Sequence, residues 1–224
     1  MLTFVRRISA QHSVRVRFSE CSDGDARLPT FLGEERNAMT LPFQTHGAEV
    51  YSVDGPGEGN GQECDALLTT CPGAVLAVRI ADCVPIAVYG TSLRNIPIVC
   101  VIHAGWRGIR EGVIVNSLQQ IREHGAHHLR AIIGPHISTE CYEFGKVELE
   151  ELVAALGRDV AGYTKDGRPA LDLGSAVLEQ LARNFVAVDH HLRRCTATNE
   201  RYWSHRADED TQRTALIAEI ETSG

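Results

Sequence analysis

AVLAVRIADCVPIAVY, residues 74–89, is the stretch on which the fold turns. It is broken once, at Ala81-Asp82-Cys83. β-Branched residues flank that break and Pro85 would interrupt a helix, so the stretch reads as two short, largely buried strands. Outward from it, residues 98–103 (IVCVIH) form another buried strand, closed by Ala104-Gly105. Ile109, Val113, Ile114, Leu118 and Ile121 then recur at helical spacing, which predicts one amphipathic helix to about Glu123. Residues 130–134 read as a strand stopped by Pro135, residues 147–156 and 174–184 as helices, the second fed by strand-like residues 170–173. Residues 185–188 and 214–220 are further strand candidates, and the glycine-rich 55–61 is a turn-rich loop. This alternation predicts a layered α+β (α/β) architecture, and no linker divides residues 1–224, so a single domain is expected.

Apolar residues make up 43% of the 224 and the net charge is -7, which excludes a nucleic-acid partner held mainly through its phosphates. A local arginine cluster can still hold a small anionic substrate. The N-terminal MLTFVRRISAQHSVRVRF has no apolar core after its arginines, so no secretory signal is expected. No stretch approaches the ~18 apolar residues of a membrane span. Seven cysteines, an odd count without a CxxC pair, point to a reducing cytoplasm in which most thiols are small core residues.

Polar residues interrupt the apolar runs at three places: Gln44-Thr45-His46-Gly47, Asp82-Cys83, and His103 before Ala104-Gly105-Trp106-Arg107-Gly108. Imidazole and thiolate suit zinc, and three protein ligands with an open position make a catalytic site. Residues 46, 83 and 103 match no compact metal motif, however. A hydrogen-bonded histidine at a strand end and a buried cysteine acting as a small hydrophobe remain open readings.

In order along the chain stand QTHG (44–47), CDALLTT (64–70), ADCVPI (81–86), HAGWRG (103–108), IGPHI (133–137), YEFG (142–145), LDL (171–173) and CT with YWSHR (195–206). From about Leu41 onward this set resembles the laccase-domain family, also called the polyphenol oxidase or peptidoglycan editing factor family, of zinc-dependent purine nucleoside phosphorylases. The resemblance implies zinc bound by His46, Cys83 and His103, and a four-layer α/β/β/α fold with mixed sheets. It implies phosphorolysis of adenosine, inosine, guanosine or methylthioadenosine, together with adenosine deamination. Departures lie before residue 41, where the family's glycine-rich segments are poorly matched, and at His136, where a cysteine is frequent. His136 is thereby raised as a fourth donor or as a residue behind the site.

If that chemistry holds, the ion would position phosphate or activate water. Asp82 would orient an imidazole or accept a proton, and a strand-end or turn carboxylate is its equal alternative. Arg107, Arg206 and Arg213 are the candidate phosphate clamps, through bidentate guanidinium donors. Trp106 and Tyr142 are candidates to stack on a purine, and Gln44 and Glu143 to make polar contacts. Copper would also bind the same three donors. A multicopper oxidase is disfavoured because none of the ten histidines stands in a His-x-His pair; His127-His128 and His190-His191 read as exposed turns. Two rivals stay open. One is a cysteine hydrolase acting on a peptidoglycan precursor, with Cys83 as nucleophile and His103 as base; the other is a non-catalytic binding protein.

Overall fold

The structure, a computed structural model, describes residues 1–222. The chain opens with β1 (Leu2–Arg7) and β2 (His12–Phe18), and short 3-10 turns (Cys21–Asp23, Gly33–Ala38) lead to β3 (Met39–Thr40). There follow β4 (Val50–Ser52), β5 (Ala66–Thr69), β6 (Val75–Ile80), β7 (Val84–Ser92) and β8 (Pro97–Ala104). Helices α1 (Trp106–Glu111) and α2 (Val113–Glu123) precede β9 (Ala126–Ile133), and α3 (Lys146–Leu156) precedes β10 (Ala161–Tyr163) and β11 (Pro169–Leu171). The described chain closes with α4 (Leu173–Arg183), β12 (Ala187–His191), α5 (His205–Asp208) and β13 (Thr214–Thr222).

Two mixed sheets result, one of order β1-β2-β13-β6-β3 and one of order β12-β9-β7-β8-β5-β4, with β10 and β11 as a separate pair. The polar break noted in the sequence is where the chain leaves one sheet for the other: β6 lies in the five-stranded sheet and β7 in the six-stranded one. Asp82, in that passage, has φ 88, a backbone state that costs a non-glycine residue energy unless contacts hold it.

Strand alternation explains the layers. Val14, Val16, Leu76, Val78, Leu216 and Ala218 meet Leu67, Ala87, Tyr89, Val99 and Val101 between the sheets. On the far face of the six-stranded sheet, Ile86, Val88, Cys100 and Ile102 pack against Ile109, Ile114, Leu118 and Ile121 and against Leu152, Val177 and Leu181 of α3 and α4. Because β7 and β8 are covered on both faces, they read as nearly unbroken apolar runs. Each fully buried Leu or Ile there contributes about 1.5–3 kcal/mol. Over the five-stranded sheet the outer layer is 3-10 turns and loop, whose Ala26, Phe31 and Leu41 cover Val75, Ala77 and Ile217.

Three local expectations change. The helix foreseen over 109–123 begins at Trp106 and is cut in two at Gly112, whose φ of 96 caps α1. Phe185 is no strand residue: its φ is 55 and it is 92% exposed, so the strand starts at Ala187. His190-His191 therefore lie on β12 rather than in a turn, with His191 stacked 5.3 Å from His136. The 127–128 pair likewise belongs to β9, its side chains exposed.

Candidate metal centre

His46 sits on an exposed turn with φ 61, Cys83 ends the passage between sheets, and His103 is the penultimate residue of β8. Antiparallel pairing of β7 with β8 sets Pro85 opposite His103 and Val84 opposite Ala104, which brings Cys83 to Gly105. One ligand atom from each of His46, Cys83 and His103 lies within 4.8 Å of the others, and the two imidazole centroids are 4.9 Å apart. Among the described residues no other such group of three forms. Gly105 is required there: a Cβ would stand 3.0 Å from Cys83 Sγ and 3.1 Å from His46 Cδ2. At Gly108 a Cβ would lie 2.8 Å from the Gly47 carbonyl, so α1 can press against the turn that carries His46.

Burial alone would push the Cys83 thiol up, but the charge and hydrogen bonds of His103 and His46 outweigh it and bring it to about 6. Burial would pull His103 down, yet the Cys83 thiolate and Asp65 raise it to about 9. The donors thus form a thiolate–imidazole group, and two nitrogens with one sulfur, all within 4.8 Å of one another, fit a zinc-type ion. The same soft donors accept copper.

Sequence reading missed Asp65, which is fully buried and accepts a 2.7 Å hydrogen bond from His103 Nδ1 through Oδ1. Its Oδ2 accepts from the backbone N–H groups of Thr45 (3.1 Å) and Gly47 (2.8 Å) and from the Thr45 hydroxyl (3.2 Å). The available signal was a carboxylate directly before the apolar run 66–68, a place where a buried strand rarely tolerates charge.

Asp82 contacts no imidazole. Its Oδ1 accepts from the hydroxyls of Thr196 (2.6 Å) and Ser204 (2.7 Å), and its Oδ2 from the backbone N–H of Arg206 (2.7 Å). Arg206 lies with its guanidinium 4.6 Å from the Tyr142 ring and donates to the Glu143 carbonyl at 2.8 Å. Tyr142 feels Cys83, Arg206, Asp82 and Arg107 electrostatically, and its hydroxyl is raised, first by burial and then by the Cys83 charge. Trp106 packs edge-on to Phe144 at 5.3 Å, and Phe144 stands 5.6 Å from Tyr142. Arg107 is exposed and lies 5.1 Å over the Trp106 ring. Tyr142 links this cluster to the donors, since it feels the charge of Cys83 as well as those of Arg206 and Arg107.

The remaining candidates are placed elsewhere or are already engaged. Both ends of the Gln44 amide bond the backbone of Arg79, at 2.9 and 2.8 Å. The Glu143 carboxylate pairs with Arg168 at 2.5 Å. Arg213 donates to the carbonyls of Asp210 and Gln212, while its backbone N–H reaches Asp25. His136 bonds the Gly134 carbonyl through Nδ1 at 2.9 Å and faces a cavity of about 930 Å³ that it shares with Asp172 and Arg193 rather than the three donors.

Residues 21–221 match the family described as multi-copper polyphenol oxidoreductase laccase, a match that starts some twenty residues before the first shared motif. A purine nucleoside phosphorylase of Mycobacterium tuberculosis is 32% identical over 88% of this chain and 78% of its own length. Proteins of the same name from Streptomyces coelicolor (34% identical; 82% and 76% covered) and Aquifex aeolicus (30%; 84% and 84%) are similar too. The fold is that of the Bacillus licheniformis hypothetical protein YfiH, with TM-score 0.77, 21% identity and coverage of 96% and 98% of the two chains. YlmD from Geobacillus stearothermophilus matches with TM-score 0.73, 25% identity and coverage of 96% and 93%. By sequence across nearly its whole length, this chain belongs to the multi-copper polyphenol oxidoreductase laccase family.

Proposed function

We propose that the chain is a zinc-dependent purine nucleoside phosphorylase that splits adenosine, inosine, guanosine or methylthioadenosine into free base and ribose 1-phosphate. The observation that carries this reading is the convergence of His46, Cys83 and His103 near Tyr142, whose ring Arg206 covers, in a chain whose relatives are named for that activity. Zinc held by the three donors would supply a Lewis-acid centre for phosphate, or for the water needed in adenosine deamination. Copper in that place would make phenol oxidation incidental, and among the described residues a multicopper cluster lacks its further donors.

The residues around the donors do the rest. Arg206, fixed by its backbone bond to Asp82, keeps guanidinium N–H groups beyond the one given to Glu143, and these would clamp an oxyanion. Arg107, over the Trp106 ring, supplies a second cation within electrostatic reach of Tyr142. Trp106, Phe144 and Tyr142 offer ring faces and edges to the purine, whose departure leaves a ribosyl cation for phosphate to trap at C1′. Because its hydroxyl is raised, Tyr142 stays protonated at neutral pH and can donate a hydrogen bond. A cytoplasmic setting accords with the seven unpaired thiols, and among the described residues no helix is long and apolar enough to cross a membrane.

Base release from inosine and adenosine, measured with and without phosphate, tests the reading, and phosphate-dependent release is expected. Cys83→Ala and His103→Ala should each lose stoichiometric zinc and lower turnover by 100-fold or more. Full activity in zinc-free variants would refute it. A second reading draws on the lowered Cys83 thiol beside His103 and Asp65, a nucleophile–base–carboxylate arrangement suited to amide cleavage of a peptidoglycan precursor. Stoichiometric zinc in the active protein, with no ester or amide turnover, excludes that alternative.

A further inference from the structure

We infer that Asp65 is the positioning residue for two of the three metal ligands at once, an inference that rests on the metal reading above. A carboxylate only accepts hydrogen bonds, so its 2.7 Å contact assigns the proton of His103 to Nδ1 and turns the Nε2 lone pair toward the ion. That is the familiar half of the role. The other half concerns His46. This residue is exposed and has φ 61, and its imidazole bonds Cys83, itself a ligand, so what sets it relative to the rest of the fold is the backbone that carries it. The backbone on either side of it is held instead: the N–H groups of Thr45 and Gly47 both point at Asp65 Oδ2, and the Thr45 hydroxyl joins them. A left-handed backbone at a non-glycine residue persists only where its surroundings over-determine it, and here one carboxylate oxygen does so. The two oxygens of Asp65 therefore set the separation of the two imidazoles before any ion arrives. Cys83 is positioned independently by the passage between sheets, where its neighbour Asp82 is anchored to Thr196, Ser204 and Arg206.

Asp65→Asn is the informative change because it keeps shape while giving one side of the group an NH2. Whichever way the amide turns, that NH2 faces donors: the His103 N–H on one side or the Thr45 and Gly47 amides on the other. Zinc affinity measured by chelator competition should fall 10- to 100-fold. In the cobalt-loaded protein the visible ligand-field bands should shift while the thiolate charge-transfer band from Cys83 stays. Thr45→Val, which removes a single donor to Oδ2 and leaves the His103 bond, should weaken zinc by about three- to tenfold, and it serves if Asp65→Asn does not fold. Equal zinc affinity and identical cobalt spectra in wild type and either variant would overturn the role of Asp65 while leaving the metal site standing. A wild type that takes up no zinc or cobalt overturns the metal reading itself.

Discussion

At the scale of single residues, the site depends on two places where a side chain is absent as much as on those where one is present. Gly105→Ala would insert a methyl 3.0 Å from Cys83 Sγ and 3.1 Å from His46 Cδ2, so the donors must part. The expected outcome is a loss of zinc affinity of at least tenfold with a melting temperature of the metal-free protein lowered by only a few degrees, checked by chelator competition and calorimetry. Of the two roles the sequence offers Asp82, it takes that of a turn carboxylate. It tethers Thr196, Ser204 and Arg206, and Asp82→Ala would leave all three donors without their acceptor. A buried donor left unpaired in this way costs about 1–3 kcal/mol. The change should raise KM for phosphate more than KM for nucleoside, measured in the base-release assay. His46, Cys83 and His103 were legible because they break apolar runs within motifs, whereas Asp65 was not. Its partners lie 18, 20 and 38 positions away, and spacing carries no signal for a bond made across a strand start and a turn.

At the scale of elements, strands were read more faithfully than their ends. The two halves of 74–89 emerged because both faces of β7 are buried, which leaves an apolar run that only a strand of that length explains. Gly112 was passed over since its neighbours keep helical spacing through the break, so periodicity alone could not show that α1 and α2 are separate. Element β12 was misjudged for the opposite reason: its AVDHH sequence is polar, yet Asp189 makes it the edge that joins the sheets. Asp189 takes hydrogen bonds from Arg130 of β9 and Tyr89 of β7, and Arg6 of β1 approaches it at 3.8 Å. The Arg130 hydrogen bond holds the Asp189 carboxyl below its usual range, although burial opposes this. With the folded value lower than the unfolded one, its stabilisation is complete above about pH 4 and fades as pH falls through the folded value. Asp189→Asn should cost about 1–2 kcal/mol at pH 7 by urea unfolding, and the gap to wild type should close on acidification toward pH 2.

For the molecule as a whole, the layered α+β character followed from alternating strands and helices, but the partition of strands between two sheets did not. The hairpin of β1 and β2 carries no strong signal because β1 alternates partly buried with exposed residues and is rich in arginine. Its membership in the inner layer depends on pairing β2 with β13, some 200 positions away, which no local pattern encodes. The passage at 81–83 has a mechanical consequence for the assembled sandwich. The thiolate belongs to the link between the sheets, one imidazole to a strand of the larger sheet, and the other to a surface turn. An ion gripping all three would act as a rivet through that seam. Occupancy then feeds directly into global stability as RT ln(1 + [L]/Kd), about 4 kcal/mol at a thousandfold excess over Kd. Chelation should accordingly lower the melting temperature of the entire domain in one cooperative step, and a melt that splits into two transitions, or does not move, would show that the rivet bears no load.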